Sequence, residues 1–95
     1  MSTYRTQVRI VADVLSCASH NSYGNPGVGI TQILQKANLS YTRLTVILNR
    51  LVTSGLLEQI SVDNNNRYII SDKGIKFLQS YSEFAEFAES FGMKL

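Results

Sequence analysis

Tryptophan is absent from this chain, and cysteine, proline and histidine occur once each, as Cys17, Pro26 and His20. A single cysteine excludes an intramolecular disulfide. Redox sensing needs an exposed thiol of lowered pKa, so Cys17 reads as a small buried residue of the first helix. His20 has no Cys, Asp or Glu cluster beside it, which leaves no metal-ligand set and makes it a solvated helix end. The acids Asp13, Glu58, Asp63 and Asp72 are scattered, and no Ser/His/Asp grouping accompanies them. An enzyme and a cofactor are therefore not expected. No stretch approaches the ~20 apolar residues of a membrane span. The N-terminal Arg5 and Arg9 are not followed by the continuous apolar run of a signal peptide. The expectation is a cytoplasmic protein with no membrane partner.

Acidic residues are scarce in one part of the chain only. Residues 1–57 carry Arg5, Arg9, Lys36, Arg43 and Arg50 against Asp13 alone, a local charge of +4. The tail carries Glu83, Glu86 and Glu89 against Lys94, a local charge of −2. The whole chain is only +2, so the distribution is the informative quantity. It points to one face for an anionic partner and one end kept away from it. At 95 residues the chain has room for one modest core, with help expected from a partner.

Apolar periodicity predicts a first helix from about Thr3 to Ser19. Val8, Val11, Leu15 and Ala18 form its stripe, and Ile10, Val14 and Cys17 widen it. The segment from His20 to Gly27 is rich in turn formers. Gly27-Val28-Gly29 lacks the lysine and preceding strand of a phosphate loop. Thr31 is placed to cap a short helix through Ala37 with Ile30, Ile33 and Leu34 inward. Asn38-Leu39-Ser40 forms the next turn, with Leu39 filling the gap and Ser40 as N-cap.

The third helix, Tyr41 to Ser54, buries Leu44, Ile47, Leu48, Leu51 and Val52 on one side. Its other side carries Thr42, Val46, Asn49 and Thr53, edged by Thr45 on one flank and by Arg43 and Arg50 on the other. A solvated face usually carries Glu–Lys pairs; this one has two arginines and no acid, which suits a polyanion. Thr and Asn can exchange hydrogen bonds with base edges, and Val46 can meet a thymine methyl.

Gly55 suits the left-handed position after a helix. Leu56–Val62 and Arg67–Ser71 read as antiparallel strands hinged at Asp63-Asn64-Asn65-Asn66. That Asn run is either a free turn or a contact, whereas Arg67 is the candidate for a phosphate or minor-groove contact. Ser71 or Asp72 caps a last helix running to about Gly92. Phe77, Tyr81, Phe84, Ala88 and Phe91 recur at heptad spacing beside Phe87. These six residues are the expected dimer interface, since Phe84, Phe87 and Phe91 overhang so small a body.

The order of helix, turn, helix and two-stranded ribbon is that of a winged helix-turn-helix. Three stretches carry a closer resemblance: Ile33–Tyr41, Leu51–Leu57, and Tyr68–Gly74 with its Tyr-x-x-Ser-x-Lys-Gly entry to the last helix. On these the chain resembles archaeal winged-helix transcription regulators, in particular the small dimeric ten-kilodalton DNA-binding proteins of archaea. The resemblance implies a mainly α (α+β) fold, with residues 1–74 as the DNA-binding domain and 75–95 as a helix for homodimerisation. It implies binding of double-stranded DNA through the third helix and the wing, residues 62–67. Thr42, Arg43, Thr45, Val46 and Asn49 would lie nearest the bases. Arg50, Lys36, Arg67 and the helix N-terminus at Ser40 and Tyr41 would hold phosphates. The last helix is short and Phe-rich, favouring a compact dimer over a coiled-coil rod. The modest charge favours a sequence-preferring, nucleoid-associated regulator over a chromatin-type architectural protein. A protein–protein adaptor on the same fold is the rival reading.

Overall fold

The computed structural model describes residues 6–19 and 27–94. Helix α1 spans Gln7–Ala18. Thr6 is extended (φ −66°, ψ 157°), and its hydroxyl accepts the Arg9 N–H at 3.1 Å, so this cap starts the helix. The expected start near Thr3 lies outside the described residues, as does His20. Ile10, Ala12, Val14, Leu15 and Ala18 are buried, and Cys17 is half-buried. Val8, expected in the inward stripe, is exposed.

The described part of the next loop holds an element that was not expected. Val28–Gly29 forms a short strand, β1, antiparallel to a later one. Helix α2, Ile30–Ala37, leaves it directly, with Gly29 as N-cap instead of Thr31. The pairing of β1 holds Gly29 extended, and the Gln32 side chain turns back to accept its N–H at 3.1 Å. Asn38 ends α2 in the left-handed region at φ 55°, which asparagine tolerates better than most residues. Ser40 then accepts the Arg43 N–H at 3.2 Å and opens α3, Tyr41–Thr53.

Helix α3 closes with two crossed backbone bonds, Leu56 N–H to Leu51 O at 2.9 Å and Gly55 N–H to Val52 O at 3.1 Å. That bond pair requires a left-handed residue at Gly55, where φ is +84°. Strands β2, Leu57–Val62, and β3, Asn65–Ile70, follow. Their turn is the two residues Asp63 and Asn64, at φ 52° and 64°, the geometry that suits the twist of a hairpin. The expected four-residue hinge is corrected accordingly. Asn65 pairs with Val62 and Asn66 with Ser61, both inside the ladder. The sheet order is β1-β3-β2.

Helix α4 spans Asp72–Glu89. Ser71 is its cap: the hydroxyl accepts the Gly74 N–H at 3.1 Å and donates to the Gly55 carbonyl at 2.6 Å. The Ser71 N–H also donates to the Leu56 carbonyl at 3.1 Å. The end of α3, the start of β2 and the start of α4 are thus tied at one joint.

Leu15, Ile33, Leu44, Leu48, Leu57 and Val14 are fully buried, and each contributes about 1.5–3 kcal/mol by leaving water. Leu39 packs against this core from the α2–α3 turn, as do Phe77 and Leu78 from α4. Further along α4 the heptad seam divides. Ala88 is buried within the chain, whereas Phe84, Phe87 and Phe91 are 57%, 62% and 67% exposed. Successive residues turn by about 100°, so Phe87 sits roughly 100° round the helix from Ala88. Phe87 and Phe91 meet edge to face at a centroid distance of 5.1 Å.

Candidate nucleic-acid interface

The outer side of α3 is held by what lies beneath it. Leu44, Ile47, Leu48 and Leu51 anchor the helix in the core, and at 3.6 residues per turn this fixes which side chains stand outward. Thr42, Arg43, Val46, Asn49 and Arg50 are exposed, together with Tyr41 at the N-terminus, while Thr45 is half-buried. Two grooves flank this ridge. The one on the hairpin side has a volume of about 690 Å³ and is lined by Tyr41, Thr45 and Asn49, by Gln59 and Asn64–Tyr68, and by Gly29–Gln32. The other, of about 340 Å³, runs towards α1 and is lined by Gln7, Ile10, Ser40, Thr42, Arg43, Val46, Ile47 and Arg50. No carboxylate lines either groove.

The sequence-derived set is thus divided between two walls. Ser40, Thr42, Arg43, Val46 and Arg50 share the α1 side. Tyr41, Thr45, Asn49 and Arg67 share the hairpin side. Arg67 lies mid-strand opposite Gly29 and Ile60, and its Nη2 donates to the Gly27 carbonyl at 2.8 Å. Its guanidinium therefore ties β1 to β3 as well as lining the groove. Lys36 is exposed on the last turn of α2 and lines neither groove. Its charge acts on Cys17, whose thiol is pushed up by burial, with Lys36 partly offsetting the rise and Asp13 adding to it. Arg9 pairs with Asp13 on α1, Nε to Oδ1 at 3.7 Å.

Several lining residues escaped sequence reasoning. Gln59 carried a usable signal, because it lies between the apolar positions of β2. Thr31 and Gln32 had none, since only the pairing of β1 brings the start of α2 beside β3. Tyr68 is buried at the groove floor, and its phenol is pushed up by burial and by the neighbouring Tyr41. Among the described residues no group of three or more metal-ligating side chains forms. No described helix is long and apolar enough to cross a membrane.

A family model described as winged helix-turn-helix matches residues 4–89. The chain belongs to that family. The β2–β3 hairpin is then its wing and α3 the second helix of the helix-turn-helix. Among solved structures the chain is similar to Sso10a-2, a DNA-binding protein from Sulfolobus solfataricus. The TM-score is 0.77 at 25% identity, over 92% of this chain and 85% of that one. It also shares its fold with TubR bound to 24 bp of tubC from Bacillus thuringiensis serovar israelensis pBtoxis. There the TM-score is 0.63 at 18% identity, over 87% of this chain and 100% of that one. A comparison with curated proteins gives no match. The winged-helix architecture is a DNA-binding one.

Proposed function

We propose that this winged-helix protein binds double-stranded DNA as a homodimer and regulates transcription. Helix α3 enters the major groove, and the wing reaches the phosphates or the minor groove. The observation that carries the reading is the exposed, acid-free face of α3, raised between two grooves with no carboxylate in either. Arg43 and Arg50 stand together on the α1 side of that face, where they meet one strand's phosphates; this moves Arg43 from the base-contact set expected of the sequence to the phosphate set. The N–H groups at Ser40 and Tyr41 offer a second phosphate contact. Arg67 contributes from the wing side while remaining tied to Gly27, and Lys36 acts at longer range. Residues 1–74 supply this DNA-binding unit and residues 75–95 the dimer contact.

Dimerisation draws its support from Phe84, Phe87 and Phe91. At their exposures they present roughly 350–400 Å² of aromatic surface to water, in the range of patches that mark interaction sites. Met93, two residues beyond Phe91, is exposed as well. Phe77, Tyr81 and Ala88, on the inward half of the seam, stabilise the helix against its own chain and so hold the patch in place. A two-fold dimer predicts two half-sites about 34 Å apart.

The deciding experiment is fluorescence anisotropy with duplex DNA across a salt series, with sedimentation for the oligomeric state. Binding that weakens steeply with salt supports phosphate engagement. Weak, salt-independent binding overturns the reading in favour of a protein–protein adaptor.

A further inference from the structure

The chemistry of the α3 face narrows the DNA it selects, on the reading that α3 enters the major groove. The central stripe holds Thr42, Thr45, Val46 and Asn49, with no cation among them; both arginines stand on the α1 edge. Guanine is most often read by a bidentate cation at O6 and N7, whereas Asn pairs with adenine N6 and N7. The Asn49 amide is exposed, and no group among the described residues pairs with it, so donor and acceptor are both available for an adenine edge. The Thr45 hydroxyl already donates to the Thr42 carbonyl at 2.8 Å. What it presents outward is an acceptor, which fits the amino group of adenine N6 or cytosine N4 and not guanine O6, so the choice between the pairs falls to Asn49 and Val46. Val46 is half-exposed one turn from Thr42 and offers an apolar surface to a thymine methyl. From Thr42 to Asn49 the helix rises about 10 Å, roughly three base pairs.

We propose that each α3 selects a short A·T-containing step through its major-groove edge, with Asn49 on adenine and Val46 on the thymine methyl as the specificity-determining contacts. The test is competition anisotropy at fixed salt with random-core duplexes of equal length, built from A·T, G·C or I·C pairs. Inosine·cytosine gives the minor groove of A·T but the major groove of G·C, so it separates the two routes of recognition. The expected result is at least about a five-fold preference for A·T over both G·C and I·C. Replacing thymine by uracil should remove part of it in the parent protein and none in Val46→Ala. Asn49→Ala should lower the A·T to I·C ratio to the part that the thymine methyl supplies, with uracil removing the remainder, while leaving the salt slope unchanged. Equal affinity for A·T and I·C, or equal affinity for all three with an intact salt slope, overturns this inference and leaves the proposed function standing. Absence of salt-dependent binding to any duplex removes both.

Discussion

Arg43→Ala isolates the phosphate contact from everything else in the fold. The Arg43 side chain is exposed and makes no hydrogen bond or ion pair among the described residues. Its backbone N–H, which caps onto Ser40 at 3.2 Å, survives the substitution. Alanine is also the better helix former, so stability should change by no more than about 0.5 kcal/mol. The binding effect is read from the salt dependence. Each phosphate neutralised contributes about −0.9 to the slope of log K against log salt. A homodimer loses two such contacts, so the slope should become shallower by about 1.8. A single bound chain would lose only about 0.9. Over a fourfold rise in salt, the parent dimer should therefore lose about twelve-fold more affinity than the variant. Anisotropy with a labelled duplex from low to moderate salt measures this directly, and thermal melting checks the fold. An unchanged slope in a folded variant refutes the placement of Arg43 on a phosphate.

Phe84→Asp should convert the dimer to monomer in sedimentation velocity without unfolding the chain, because Phe84 is 57% exposed in the single chain; a variant that still sediments as a dimer refutes that interface. Gly74→Ala should destabilise the protein even though alanine favours helix. A Cβ there would overlap the Leu56 carbonyl and come within 2.7 Å of Ile70 Cγ1. Strain of about 1–3 kcal/mol, set against a propensity gain of about 1 kcal/mol, predicts a Tm drop of up to about 10 °C, and a raised Tm would show that the α3–α4 joint yields. Cys17 should alkylate more slowly than the same thiol in denatured protein at mildly alkaline pH. Burial holds its folded pKa above the ordinary value, so the thiolate appears only at higher pH; equal rates would refute the burial.

Much of this protein was determined by sequence alone, because local rules specify it. The inward row of α3, the caps at Ser40 and Ser71 and the left-handed Gly55 depend on residues within one turn of each other. The outward face of α3 follows from the same periodicity, so its candidate residues were legible as well. What escaped depends on contacts distant along the chain. Strand β1 is two residues long and exists because Val28 and Gly29 meet Tyr68 and Arg67. That pairing moved the α2 cap from Thr31 to Gly29 and tied Arg67 to Gly27. Asn65 and Asn66 looked like turn residues, yet the ladder with Ser61 and Val62 draws them into β3. The heptad pattern of α4 marked apolar positions correctly but could not say which side the core would claim. Packing against the chain's own body buried Ala88 and left Phe84, Phe87 and Phe91 in water. Periodicity records that a surface must be covered; only the tertiary structure decides how much of it the chain covers for itself.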